Sequence, residues 1–274
     1  MSRKLKIIIL FVVLIAIGWG IGTYTSPSAS PEDETVVNGQ AGLEGQPPAS
    51  PAPSAVTEEG TEPAPTIPAA PSGEDAELTV TEPDSVTVMV NKQYRLPEDY
   101  KPADLVYPDV HFIFSEKIEK RMMRADAAAA LEEMFAGAKA DGIYLGGVSA
   151  FRSEATQTTL FNRYVERDGE DKARTYSAVP GYSEHQTGLA IDISGSEGKC
   201  AAESCFAGTK EADWLAAHAW EYGYIIRYPE GKEAITGYMY EPWHVRYVGK
   251  EMAESINERD ITLEEYFDAV PVSK

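Results

Sequence analysis

Between Thr25 and Asp84 the sequence has no lysine, no arginine and no aromatic residue. The same stretch holds 11 of the chain's 18 prolines and twelve acidic residues, so it has little apolar surface to offset the entropy of ordering its backbone. Residues 25–84 are read as a disordered tether. Sixty flexible residues span about 40–45 Å root-mean-square, and more where proline extends them. Basic clusters are missing throughout. Of the net charge of −20, the tether carries −12 and the first 24 residues +3, which leaves −11 for residues 85–274. Phosphate binding needs clustered Lys and Arg, so nucleic acid is excluded as a partner. No repeat of about 20–50 residues is visible, which removes solenoids and propellers. Only two cysteines occur, neither near the N-terminus, and a lipoprotein anchor has no support.

What is present begins with a basic flank, Arg3, Lys4 and Lys6, before the apolar run Ile7–Ile21, which continues to Tyr24. The eighteen residues from Ile7 to Tyr24 are just enough to span a bilayer. The positive-inside rule then keeps the flank in the cytoplasm and places the remainder outside. Residues 1–24 are expected to be a single-pass anchor; a cleaved signal peptide with Ser28-Ala29-Ser30 as a weak site is the alternative. In an exported protein Cys200 and Cys205 are a disulfide candidate, of modest effect because the loop is short. Two unpaired thiols are the competing reading.

Residues 85–274 hold seven of the eight Phe, all four His and fourteen of the fifteen Tyr, enough for one well-filled domain. Asp126 to Ala140 carries Leu131, Met134, Phe135 and Ala138 at helical spacing, with Gly142 as a stop. Ile143 to Arg152 reads as a strand, and Ser153 caps a helix bearing Leu160, Phe161, Tyr164 and Val165 that ends at Gly169. Leu189 to Ile193 alternates, with Asp192 on the face opposite Leu189, Ile191 and Ile193. Trp214, Leu215, His218 and Tyr222 form a helical stripe up to Gly223. Strands over Tyr224–Tyr228 and Tyr238–Val248 follow, joined by Pro-Glu-Gly turn chemistry. Thr262 and Glu265 fit a capping box. The fold class is α+β, a small, mainly antiparallel sheet carrying helices.

Two histidines sit in polar contexts, Ser183-Glu184-His185-Gln186-Thr187-Gly188-Leu189-Ala190-Ile191-Asp192 and Glu241-Pro242-Trp243-His244. Two imidazoles and a carboxylate suit a divalent metal, and three protein ligands leave a fourth position open, as catalytic zinc requires. His185, Asp192 and His244 are that set, expected at the sheet. Glu241, three residues before His244, is the candidate base. His218 in its apolar stripe and His111 in Val-His-Phe-Ile-Phe are read as packed side chains, and Trp243 as core.

These residues resemble the VanY-type D-alanyl-D-alanine carboxypeptidases, zinc peptidases of the bacterial cell wall that include L,D-carboxypeptidases. The likeness begins at Val90-Asn91-Lys92 and Leu96-Pro97-Glu98-Asp99-Tyr100. It runs through Ser149–Arg163 and Ser183–Asp192 to Glu241–Gly249, and carries the family's Ser-x-His-x-x-x-x-x-x-Asp and Glu-x-x-His elements. The resemblance implies Zn²⁺ as cofactor, peptidoglycan stem peptides as substrates and a cell-membrane location with the domain outside. It also implies that Arg152, Gln157 and Ser183 bind the peptide's C-terminal end, with Arg152 alternatively serving the developing oxyanion. An arginine fork and added donors suit a carboxylate. The leading expectation is removal of the terminal D-alanine by a D,D-carboxypeptidase. The alternatives are an L,D-carboxypeptidase acting on the tetrapeptide, a non-catalytic wall-binding module and a lytic endopeptidase.

Overall fold

The computed structural model describes residues 78–269. The apolar N-terminal run and most of the tether lie outside the described residues. Among the described residues no helix is long and apolar enough to cross a membrane. Ordered structure reaches into the stretch assigned to the tether. β1 (Leu78–Thr79) pairs in parallel with β2 (Tyr94–Arg95), and Leu78 and Val80 pack against a hydrophobic cluster. Averaging composition over the long acidic stretch hid this short apolar end. β3 (Leu105–Val106) pairs antiparallel with β4 (Met123–Arg124).

α1 (Ala125–Ala140) follows at once and buries Ala127, Leu131, Met134 and Ala138, one face at helical spacing. Then come β5 (Leu145–Ser149), α2 (Glu154–Asp168), α3 (Glu170–Ala173), β6 (Ala190–Gly195), α4 (Lys210–His218), β7 (Tyr224–Ile226), α5 (Glu233–Thr236), β8 (His244–Tyr247), α6 (Lys250–Arg259) and α7 (Leu263–Tyr266). The central sheet has the order β5-β6-β8-β7, and every pairing in it is antiparallel. The expected α+β class is observed. Leu189, Ile191, Ile193 and Val245 are fully buried in the cluster that also contains α1 and α4 side chains. Alternation therefore turns Asp192 and His244 to the sheet's other face.

Several expected boundaries move. The strand expected over Ile143–Arg152 spans only Leu145–Ser149, because a register shift between Gly147 and Ser149 interrupts its pairing with β6. The strand expected over Tyr238–Val248 shrinks to His244–Tyr247. Proline at 242 has no backbone donor, and the chain turns there instead. β7 likewise ends at Ile226, short of Tyr228. Ser153 accepts from the Thr156 amide at the start of α2, and Thr262 with Glu265 forms the capping box of α7.

The stripe containing His218 is one helix only as far as that residue; a 3₁₀ turn, Ala219–Tyr222, completes it before left-handed Gly223. His218 is stacked on Trp214, with ring centroids 5.1 Å apart, but keeps its polar edge at the surface, where Nδ1 lies 2.7 Å from Glu221. His111 is exposed, with Nε2 2.9 Å from the Ser196 carbonyl. Neither is a core histidine. Cys200 and Cys205 form the expected disulfide, and Trp243 is buried in the main core cluster.

Gly188 closes the turn that carries His185 into β6. Its φ is +68°, and a Cβ placed there meets Leu105 Cδ2 at 2.8 Å and the Arg124 backbone nitrogen at 3.3 Å. Gly188→Ala is expected to cost about 1–3 kcal/mol through left-handed strain alone, and more through the contact. Urea unfolding of the two proteins measures it.

Candidate metal centre

Three pieces of local structure bring the site together. The first is the 3₁₀ turn Glu184–Thr187, all four residues buried. The Gly188 amide donates back to the His185 carbonyl, which also accepts from the Arg152 amide at 3.2 Å. His185 Nδ1 lies 2.8 Å from the Ala150 carbonyl. A carbonyl only accepts, so Nδ1 carries the proton and Nε2 is bare.

The second piece is the register of β6 with β8, in which Asp192 stands directly opposite His244. The third is the turn Glu241-Pro242-Trp243-His244, closed by the His244 amide donating to the Glu241 carbonyl at 3.1 Å. Proline suits the second position of such a turn, where its fixed φ is already correct. The turn folds Glu241 back beside His244, which is the structural meaning of the three-residue spacing.

His185 Nε2 is 3.4 Å from Asp192 Oδ2, and His244 Nδ1 is 3.0 Å from Asp192 Oδ1. One donor atom from each of His185, Asp192 and His244 lies within 4.8 Å of the other two. A tetrahedral ion with ligands at about 2.0–2.1 Å spaces its donors about 3.3 Å apart, so the three residues fit zinc. The charges fit as well. Burial works against a charged His244, but the carboxylates of Asp192 and Glu184 on its two nitrogens outweigh it and push the imidazole up to about 9. That ring sits where a positive charge is wanted, and a divalent cation supplies one without the proton. His185 behaves oppositely: burial and the Arg152 guanidinium push it down to about 3, so it is a neutral ligand.

Glu241 is 7% exposed, and burial, opposed by His244 and reinforced by Asp192, raises its carboxyl to about 8. A carboxyl group in that state can hold a proton and release it near neutral pH. Glu241, Arg152, Ser183, His185, Asp192 and His244 all line one cleft of about 820 Å³.

Gln157 stands apart from the other expected substrate contacts. It is fully buried and does not line the cleft. Its amide nitrogen donates to the Ala178 carbonyl at 2.6 Å and to Ser177 Oγ at 3.3 Å, while its oxygen accepts from Arg152 Nη1 at 2.7 Å. Both amide hydrogens are therefore used. In this structure Gln157 and Ser149, the latter 3.3 Å from Nη2, together fix the Arg152 fork.

Sequence reasoning passed over Glu184, which is buried between two arginines and His244. Arg227 and Arg246, each interrupting an apolar strand run, were the available signal, since arginine is almost never fully buried unless paired. The residues Ala201–Cys205, inside the disulfide loop, also line the cleft, a placement that no local pattern announces.

Neutral nitrogens and one carboxylate around an ion, with a second carboxyl group beside them, are what a metal-assisted hydrolase requires. Comparison with known proteins narrows this class. Residues 120–250 match the family model of VanY, D-alanyl-D-alanine carboxypeptidase. YodJ of Bacillus subtilis (strain 168) is 50% identical over 192 residues, which cover 70% of each chain. Among solved structures, the LD-carboxypeptidase LdcB is 50% identical with a TM-score of 0.67, covering 70% of this chain and 90% of that one. A variant of the vancomycin-resistance D,D-pentapeptidase VanY, solved in complex with Zn(II), is 30% identical with a TM-score of 0.54 over 66% of this chain and 98% of its own. The chain belongs to the VanY family of carboxypeptidases.

Zinc content separates the ligands from their neighbours. His185→Ala and His244→Ala are each expected to lose bound zinc, whereas Glu241→Ala keeps it. Metal analysis of the purified variants is the check.

Proposed function

We propose that the chain is a zinc carboxypeptidase that releases the terminal D-alanine of peptidoglycan stem peptides. The observation that carries the reading is the buried His185, Asp192 and His244 cluster with Glu241 beside it, at the floor of a cleft that also presents Arg152. Zinc, when bound to those three residues, would polarise the scissile carbonyl and make water a better nucleophile. Glu241 takes the proton of the attacking water on its carboxylate and returns it to the leaving amine, which needs a proton to depart. Its raised affinity for a proton suits both halves of that transfer. Arg152 pairs with the peptide's terminal carboxylate, and the fork held by Gln157 and Ser149 sets the end of the chain in place. Ser183, 3% exposed at the cleft, adds a hydroxyl donor.

The greater likeness to an LD-carboxypeptidase, 50% identity against 30% for the D,D-pentapeptidase, favours L,D over D,D cleavage. In that reading the tetrapeptide is the substrate and the leaving residue is still D-alanine. Mass spectrometry of synthetic tripeptide, tetrapeptide and pentapeptide stems after incubation with the zinc-loaded chain tests both readings. The tetrapeptide should be shortened to the tripeptide; cutting of the pentapeptide alone returns the D,D assignment, and no cutting favours a binding module. Glu241→Ala should slow turnover by at least about 10²-fold. Amidating the stem's C-terminus removes the charge that Arg152 pairs with, and is expected to lower kcat/KM by about 10–150-fold, the equivalent of about 1.5–3 kcal/mol. Arg152→Lys should show most of the same defect, because it keeps charge and loses the fork.

Membrane anchoring completes the proposal, with the domain on the outer face of a bacterial cell membrane and the tether giving it reach. The basic flank and apolar run of residues 1–24 support this, and the Cys200–Cys205 disulfide suits an oxidising compartment. After fractionation the protein should stay with membranes until detergent is added, and protease applied from outside should release the domain. Full-length protein in the cytosol would contradict the topology.

A further inference from the structure

Glu184 lies between two residues to which the proposed reaction gives tasks, Ser183 and His185, and has none itself. Its Oε1 accepts from Arg227 Nε at 2.8 Å and from Arg246 Nη1 at 2.7 Å, and its Oε2 lies 3.3 Å from His244 Nε2. Arg227 continues to Glu264 through two bonds of 2.9 and 2.6 Å, and Glu264 accepts from Asn91 at 3.2 Å. Arg246 spends its other nitrogens on the carbonyls of Val86, Val88 and Tyr247. Both arginines and Glu264 are 0% exposed and Glu184 is 2% exposed. Desolvating so many charges is costly, and apolar residues of similar volume often serve stability as well or better. The position of Glu184 against a ligand's second nitrogen gives the network a further use.

We infer that Glu184 is a positioning residue for the metal ligand His244: it accepts the Nε2 proton and so leaves Nδ1 bare toward Asp192. Arg227 and Arg246 hold that carboxylate in place and keep it charged. The two histidines are thus oriented differently. His185 gives its one ring proton, on Nδ1, to the Ala150 carbonyl, whereas His244 gives its own to a carboxylate, which raises the basicity of the metal-facing nitrogen more strongly. The inference rests on the reading of His185, Asp192 and His244 as a metal site, and its test reads metal affinity rather than turnover.

Zinc affinity of the full chain, measured by competition with a chromophoric chelator at fixed pH, compares wild type with Glu184→Gln. The two arginine donors demand the glutamine's oxygen, which turns its NH₂ toward His244 and forces the proton onto Nδ1. Zinc affinity should fall by about 10–100-fold, while His218→Ala, remote from the site, leaves it unchanged. A folded Glu184→Gln protein with wild-type affinity overturns the inference and leaves the metal reading standing; wild type that binds no zinc removes the metal reading itself. Should Glu184→Gln fail to fold, the wild type decides, through the ring ¹⁵N resonances of His244 in the zinc-loaded chain. A proton on Nε2 supports the assignment, and a proton on Nδ1 overturns it.

Discussion

The pairing of Asp192 with His244 across β6 and β8 is the constraint on which the site depends, and the hydrophobic core enforces it. Side chains alternate along a strand, so a slip of one residue would exchange the two faces of β6. Asp192 would then enter the layer filled by Leu189, Ile191 and Ile193, all fully buried. Val245, opposite Ile191, would lose its place in the same layer. The register is therefore fixed by apolar packing on one face, and the candidate metal ligands Asp192 and His244 inherit their spacing on the other. His185 needs a separate device, because it precedes the strand. Gly188 in the left-handed region turns the chain so that the imidazole returns to the Asp192 side chain.

Charge on the ligand face is balanced at two levels. The inner level, Asp192 and Glu184 around His244, has negative charge to spare and calls for a cation. The outer level pairs Glu184 and Glu264 with Arg227 and Arg246, two of each sign, fully buried. Removing one member of such a set leaves an uncompensated charge and costs about 3–5 kcal/mol. The outer level also ties in segments distant in the chain. The segment carrying Val86 and Val88 supplies carbonyls, and α7 supplies Glu264. These distant pieces are bound to the strand that carries His244, so the candidate metal centre and the closure of the fold share one set of ion pairs.

The parts of this arrangement legible in the sequence are those with local causes. Ser153, Thr262 and Glu265 announce helix starts through hydrogen bonds spanning three residues, and the alternation at Leu189–Ile193 announces which face Asp192 takes. The candidate trio is legible because histidine is scarce and two of the four sit among polar neighbours. Partners separated by long stretches of chain were not legible. Glu184 meets Arg227 across 43 positions and Arg246 across 62, and nothing near Glu184 in sequence distinguishes it from an exposed acid. The burial of Gln157 was not legible for the same reason, since its bond to Ala178 depends on how the chain returns after α3. Strand ends failed where tertiary geometry, a bulge near Gly147 and a turn at Pro242, overrode a continuous apolar pattern.

The cleft is built from two kinds of wall, and this divides chemistry from specificity. Its floor, Asp192, His244 and His185, is held by sheet register and packed core, so small changes elsewhere leave it in place. Its rim comes from Tyr164, Arg167 and Tyr176 around α2 and α3, and from the disulfide loop with Ala201, Glu203 and Cys205. Cys200 and Ala202 sit at φ +57° and +54°, a left-handed conformation unfavourable for residues with a Cβ, and the cross-link helps to hold it. Substitutions in this rim can alter the shape of the cleft without touching His185, Asp192 or His244. Recognition of the leaving end faces a different demand. In a domain at −11 the overall field repels an anionic peptide, so attraction has to be local. Arg152, its fork fixed by Gln157 and Ser149 and its charge stabilised by Asp192 and Glu241 against the effect of burial, is a cationic group that the cleft itself presents.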